Sequence, residues 1–261
     1  MRNDFDLIRH SFKGDTAIYP ISDVHLGAIE HNKDAWEAFC RRIEKEDAYI
    51  ILDGDLINNS VRTVGFTNPY DELIRPRDQK RMMVEYLKPI KDKVLCIVSG
   101  NHERRSMKDD DVDLTYDIAS KLDIEDYYRE NIAFMTVSCG KRNTLEKWNS
   151  TYSFAVTHGA GGGIYTGAAV NRNERFGNII DGLDILVVGH VHKGFVTRPS
   201  KIVIDPQNNK VSQKSYVVIS TVPWMEWGGY AAQKMLLPAE ACRPQKLILS
   251  GSRKKEVHVH W

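Results

Sequence analysis

Eight side chains able to bind a metal ion or move a proton recur along the chain. Asp23 and His25 stand in SDVHLG, Asp55 in LDGDL, and Asn101 and His102 in SGNHE. His158 stands in VTHG, and His190 and His192 in VGHVH. Three oxygen donors with four or five imidazoles make a mixed nitrogen and oxygen set. Such a set suits Mn, Fe, Zn or Co better than Mg or Ca, which favour oxygen ligands. Two such ions about 3.5–4 Å apart need one shared carboxylate and a water between them. The alternation in D-x-H and H-x-H predicts that both side chains leave one side of an extended segment and reach one cluster. Gly54, Gly100, Gly159 and Gly189 sit beside these residues and permit tight turns there.

The eight residues spread over 170 positions, so only the fold can gather them. Each follows a short apolar run. Residues 16–22 (TAIYPIS), 49–52 (YIIL), 94–98 (VLCIV), 152–157 (YSFAVT) and 183–188 (LDILVV) read as buried strands. Helical spacing fills the gaps between the early ones. Residues 32–46 place Ala35, Trp36, Ala38, Phe39 and Ile43 on one side. Residues 78–88 do the same with Met82, Met83, Tyr86 and Leu87, after Pro76 and Asp78, and 113–122 is a shorter helix. Strand–helix alternation implies a parallel sheet with right-handed crossovers. In open sheets of this kind, sites form beyond the carboxyl ends of the strands. From about Phe195 the pattern changes. Residues 195–199, 201–204, 214–220, 246–249 and 256–260 read as strands of a second, more antiparallel sheet. The fold class is α/β, of the four-layer α+β type. Two mixed sheets pack face to face, helices lie outside, and the metal site sits at strand C-terminal ends. No repeat, low-complexity tract or linker interrupts the chain, so 1–261 reads as one catalytic domain.

In their order, SDVHLG, DGDL, GNHE, THG and GHVH resemble the five motifs of the calcineurin-like metallophosphoesterase superfamily. They span Asp23 to His192, about two-thirds of the chain. The resemblance implies that Asp23, His25 and His192 hold one metal, that Asn101, His158 and His190 hold a second, and that Asp55 bridges them. It implies that His102 stays off the metals, over the scissile phosphate, where it stabilises charge or protonates the leaving oxygen. A metal-bridging hydroxide would attack in line, with no covalent intermediate. Two divalent ions are the expected cofactors, manganese first, with iron, zinc, nickel or cobalt as alternatives.

Bulk composition narrows the partners. Lys plus Arg number 36 against 35 Asp plus Glu, a formal net charge of +1. A protein that wraps long duplex DNA carries a stronger basic excess. Cys40, Cys96, Cys139 and Cys242 are far apart and form no C-x-x-C pair. That argues against a disulfide scaffold or a structural zinc, and for reduced thiols in a cytoplasmic protein. The polar start MRNDFDLIRHSFKGD has no signal-peptide core, and no apolar run approaches the roughly 18 residues of a membrane helix. No membrane partner is expected, and nothing in the sequence sets an oligomeric state.

Other residues carry two readings each. Arg104 and Arg105, with Asn101, are candidates to bind a substrate phosphate; the plain alternative is a solvated pair at a helix start. Asn58 and Asn59 orient phosphate or cap a helix. Gly161, Gly162 and Gly163 offer backbone N–H groups to a ligand or form a plain loop. Trp224 and Trp227 stack a base or pack in the core. His258 and His260 imitate a metal pair, but an exposed strand face accounts for them. The acidic run at 109–111 reads as a helix start. The insert at 58–78, with Phe66, Tyr70, Arg75 and Arg77, is the place to expect substrate selection. The substrate expectation is a phosphodiester of nucleic acid or nucleotides. A phosphomonoesterase, acting on protein or a small molecule, is the first alternative. A non-catalytic binding subunit is the second, opposed by the intact Asp23, His102 and His190.

Overall fold

The computed structural model describes residues 4–61, 72–140, 150–161, 165–233 and 235–261. In chain order the strands are β1 (Ile8–Phe12), β2 (Thr16–Ile21), β3 (Tyr49–Asp53), β4 (Val94–Val98), β5 (Tyr128–Arg129), β6 (Ala133–Cys139) and β7 (Ser150–Thr157). There follow β8 (Ile185–Val188), β9 (Phe195–Thr197), β10 (Ser200–Asp205), β11 (Lys210–Ser215), β12 (Val217–Ser220), β13 (Lys246–Leu249) and β14 (Val257–His260). The α-helices are α1 (Lys33–Lys45), α2 (Pro76–Leu87), α3 (Arg104–Asp110), α4 (Leu114–Lys121), α5 (Thr166–Asn178) and α6 (Gly229–Gln233).

Two six-stranded mixed sheets form the centre. The first runs β14-β13-β2-β3-β4-β5, parallel from β2 to β5 and antiparallel at β13 and β14. The second runs β1-β6-β7-β8-β12-β9, with β7, β8 and β12 parallel. Strand alternation sorts the core into layers. Ile50 and Leu52 of β3 meet Trp36, Phe39 and Ile43 of α1, Met83 and Leu87 of α2, and Ile118 of α4. Ile51 points the other way, into a layer with Cys96, Val98, Met135, Phe154, Val156, Ile185 and Ile219 between the sheets. Ala155, Leu186 and Val218 cover the far side of the second sheet, against Ala169 of α5. Helix, sheet, sheet, helix is the expected four-layer order. Every residue of β4 is buried, as a strand covered on both faces requires.

The helices start where their caps place them. The Asn32 side chain accepts from Ala35 N at 3.0 Å at the head of α1. Pro76 opens α2, where its missing N–H costs nothing.

The structure corrects the make-up of the second sheet. Its strands lie mostly before Phe195, and β1 and β6 are not apparent from the apolar pattern. β13 and β14 return to the edge of the first sheet, β13 pairing with β2 through Leu247 and Ile18. β10 and β11 form a two-stranded ribbon of their own. The stretch read as one strand at 214–220 breaks at Tyr216, whose N–H bonds Pro199 O at 3.1 Å. The acidic run at 109–111 closes α3 rather than opening a helix: Asp111 turns left-handed at φ 55°. The next helix starts at Asp113, whose carboxylate accepts from Tyr116 N at 2.9 Å. No helix among the described residues is long and apolar enough to cross a membrane. All four cysteines are free, and Cys40, Cys96 and Cys139 are buried.

Candidate metal centre

The candidate ligands do leave strand ends: Asp23 and His25 after β2, Asp55 after β3, Asn101 after β4, His158 after β7, and His190 and His192 after β8. Their backbone is unusual. Asp23 (φ 53°), His25 (47°), Asp55 (50°), His190 (70°) and His192 (52°) are all left-handed. Such non-glycine residues cost on the order of 1–3 kcal/mol each and persist only where their surroundings hold them. Here Asp23 N donates to Gly54 O at 3.1 Å, and His25 N to Asp55 O at 2.9 Å. His190 N donates to Asp23 Oδ2 at 3.0 Å. D-x-H and H-x-H are therefore tight turns, not the extended segments that the alternation predicted. Glycine is required where β3 and β4 end together. A Cβ on Gly100 would lie 2.1 Å from Asp55 N and Oδ1.

The side chains converge on two groups of candidate ligands, and a third group, His25 with Asp55 and His102, overlaps both. Asp23, His25 and His192 form one, and Asp55, His158 and His190 the other, each with its ligand atoms within 4.8 Å of one another. In the first, His192 Nε2 lies 3.0 Å from Asp23 Oδ1 and 3.1 Å from His25 Nε2. In the second, His158 Nε2 lies 3.1 Å from Asp55 Oδ2 and 3.1 Å from Asn101 Oδ1. His190 Nδ1 lies 2.6 Å from the same Asn101 oxygen. Asp55 Oδ2 is also 3.8 Å from His25 Nε2, so this carboxylate stands between the groups. The H-x-H pair divides between the two groups, His190 in one and His192 in the other.

Charge accompanies the geometry. Burial opposes ionisation of Asp23, but the neighbouring His192 and His25 outweigh it and hold its pKa well below the usual carboxylate range. Asp55 is lowered in the same way, by His158 and His102. Burial works against a charged His158, yet the carboxylates of Asp55, Asp23 and Asp53 lift it well above its ordinary value. Asp53 is buried without a hydrogen-bond partner on either oxygen, and burial pushes its carboxyl well up. Asp23 Oδ1 is likewise buried with no hydrogen-bond partner. An oxygen left so, facing imidazole nitrogens, is what a cation would satisfy. The donor set fits borderline divalent metals.

His102 stands at the edge of both groups, 3.7 Å from Asp55 Oδ2. Its Nδ1 donates to Asn58 O at 2.6 Å. Its Nε2 lies 2.8 Å from Arg105 Nη2, and arginine only donates, so Nε2 carries the lone pair. Burial keeps the ring's pKa well below its usual value. The two arginines part company. Arg105 also bonds the Asn58 and Asn59 carbonyls, beside His102. Arg104 spends its guanidinium on Ser99 O and Glu130 O, which makes it a brace between β4 and the turn after β5.

Glu103 is the residue that the motifs alone do not single out. It is 1% exposed, and its carboxylate accepts four backbone N–H bonds. Those from Leu56 (2.7 Å) and Ile57 (3.1 Å) reach Oε1, and those from Asp55 and Gly100 (both 3.0 Å) reach Oε2. Burial and the Asp55 charge push its pKa up to about 7, against the pull of those donors. Its signal was visible: an acid inside SGNHE, in the segment that must meet the turn after β3. Ser22 and Thr221 are a second omission. The Ser22 hydroxyl bonds both Asp23 Oδ2 and Thr221 Oγ1, tying the end of β12 to the ligand turn.

Asn58 and Asn59 cap no helix. Asn59 Nδ2 donates to His102 O at 2.8 Å and so holds the start of α3. Trp224 is core, 1% exposed and edge-on to Trp36 at 5.2 Å. Trp227 is 55% exposed. His258 and His260 occupy the exposed face of β14. Gly161 is left-handed at φ 77°. Phe66, Tyr70, Gly162, Gly163 and the Asp109 side chain lie outside the described residues.

Fold and site together define a metal-dependent phosphoesterase. The family model for the calcineurin-like phosphoesterase matches residues 17–194, more than half of the chain, so this protein belongs to that family. No curated protein matches its sequence.

Proposed function

We propose that the protein is a dinuclear phosphodiesterase acting on nucleic-acid or nucleotide phosphodiesters. Asp23, His25 and His192 would hold one divalent ion, Asn101, His158 and His190 the other, and Asp55 would be shared. The observation that carries this reading is the place of Asp55 Oδ2, within 3.8 Å of ring nitrogens from both groups. Bound ions would polarise the phosphoryl oxygens and lower the pKa of water. Manganese suits this mixed donor set.

The chain's own residues supply the rest. His102 faces the shared carboxylate with a neutral ring held in one tautomer by Asn58 O. With a proton taken up at Nε2, which carries the lone pair in this structure, it would donate to the leaving oxygen. Arg105, beside it, adds positive charge where the phosphate would arrive. A diester carries one negative charge at phosphorus and a monoester close to two. Arg104 turns to Ser99 O and Glu130 O, which leaves Arg105 as the arginine beside His102, and the smaller charge of a diester fits one such arginine better.

The test is hydrolysis of bis-p-nitrophenyl phosphate with Mn²⁺, beside the His102→Ala variant. Turnover should fall about 10²- to 10⁴-fold in the variant, with both ions still bound. Wild-type protein that binds two ions and cleaves p-nitrophenyl phosphate but no diester would make it a monoesterase. Protein that cleaves neither would leave a binding subunit.

A further inference from the structure

Three chain segments meet beside the Asp23 and His25 turn, and each exposes an apolar side chain. The loop after His25 carries Ile29, 54% exposed, and the segment before α2 carries Leu73, 71% exposed. The third segment carries Trp227. Hydrogen bonds lace them together. Leu73 N donates to Gly27 O at 2.9 Å, and Glu226 N to Glu30 O at 2.8 Å. Isolated β-bridges pair Ala28 with Glu72 and His31 with Met225. The third segment is tied to the metal turn directly, because Trp224 N donates to Asp23 O at 3.0 Å. Three residues of extended chain reach about 11 Å at most, so Trp227 stands within one nucleotide's length or two of the candidate ligands.

We infer that Trp227 is a stacking platform for an unpaired nucleobase next to the scissile phosphate, which makes single-stranded nucleic acid the substrate class. This rests on the phosphodiesterase reading. Four observations point to a base. The indole N–H already donates to Leu236 O at 2.8 Å, which fixes the ring and satisfies its polar edge. What remains exposed is apolar aromatic surface, the kind on which bases of any sequence stack. Glu30 and Glu226 lie on the same two segments, and their carboxylates would repel a phosphate but accept a base N–H, an exocyclic amine or the N3–H of thymine. The chain that carries Ile29 leads directly from His25 of the candidate metal centre through the buried Leu26 and Ala28. In a duplex both faces of a base are covered by its neighbours, so the platform selects an unpaired one.

The experiment compares kcat/KM for thymidine 5′-(p-nitrophenyl phosphate) with that for methyl p-nitrophenyl phosphate, which has no base. Both are diesters with the same leaving group. Wild-type protein should prefer the thymidine ester. In Trp227→Ala the preference should shrink about 10- to 100-fold, chiefly through KM, and Trp227→Phe should retain most of it. An unchanged ratio in Trp227→Ala, or equal loss on both esters with Trp227→Phe no better, would overturn the stacking role while leaving the phosphodiesterase reading intact. If the wild type cleaves neither ester, the phosphodiesterase reading fails, and binding of fluorescent oligothymidylate decides the platform. Weaker binding by Trp227→Ala than by wild type would sustain it. Equal binding, no binding, or tighter binding of the annealed duplex would end it. Thermal melting of both variants confirms that each is folded.

Discussion

Glu103→Gln is the sharpest probe of how the site is held. The carboxylate satisfies four buried N–H groups, two on each oxygen, from Asp55 and Gly100 on one and Leu56 and Ile57 on the other. An amide keeps one oxygen. Its NH₂ must face the other pair, donor against donor. Two buried donors left unsatisfied cost about 1–3 kcal/mol each, so the variant should lose about 2–6 kcal/mol. At about 2–4 °C per kcal/mol for a domain of this size, its melting point should fall by roughly 4–24 °C. Glu103→Ala orphans all four donors and should fall further. The assay is thermal unfolding at pH 8 in EDTA. That pH is above the value of about 7 to which burial raises Glu103, so the wild-type side chain is charged. Mn²⁺ titration runs beside it, because the same donors fix the turns that carry Asp55 and Asn101. A drop under about 2 °C in Glu103→Gln, with Mn²⁺ affinity unchanged, would refute the claim that Glu103 joins the ends of β3 and β4.

Two further outcomes follow from the shared position of Asp55. Asp55→Asn should weaken both metal sites together, so that Mn²⁺ titration shows two sites losing affinity in parallel; loss of a single site would show that Asp55 belongs to one group only. Treatment with EDTA should abolish activity, and Mn²⁺ should restore it more readily than Ca²⁺, because four imidazoles suit the harder ion poorly; equal rescue by Ca²⁺ would contradict the mixed donor set.

Residue type and order made the candidate ligands legible, because Asp, His and Asn at the ends of five successive apolar runs form a donor set for which a packed core has no use. β2, β3, β4 and β8 were legible too, since strands covered on both faces read as apolar runs. β6 was not. It buries alternate residues along AFMTVSC, with Thr136 and Ser138 on the partly open face, and its apolar character is diluted. β13 was recognised as a strand but placed in the wrong sheet. Its partner β2 lies some 230 residues earlier, and nothing local in KLIL names that partner. Trp224 and Trp227 looked alike in VPWMEWGGY, and only the fold separates them. One packs against Trp36 in the core, and the other stands open at the rim. Arg104 and Arg105 are a similar pair: consecutive residues at a helix start leave it in different directions, about 100° apart.

The left-handed turns explain why this site needs so much support. Five candidate ligands sit in a backbone conformation that resists any side chain with a Cβ, and none of them is glycine. Glycine would relieve the strain but provide no ligand. The conformation aims each side chain back over its own strand end, where two sheets bring their carboxyl edges together. Glu103 and the Ser22–Thr221 pair then act as clamps. Glu103 binds β3 to β4 within one sheet, and Ser22 with Thr221 binds β2 to β12 across the two. Neither has to touch the ions. Their work is to keep strained turns from relaxing, and a ligand turn that relaxes by a single φ flip would point its imidazole or carboxylate away from the cluster.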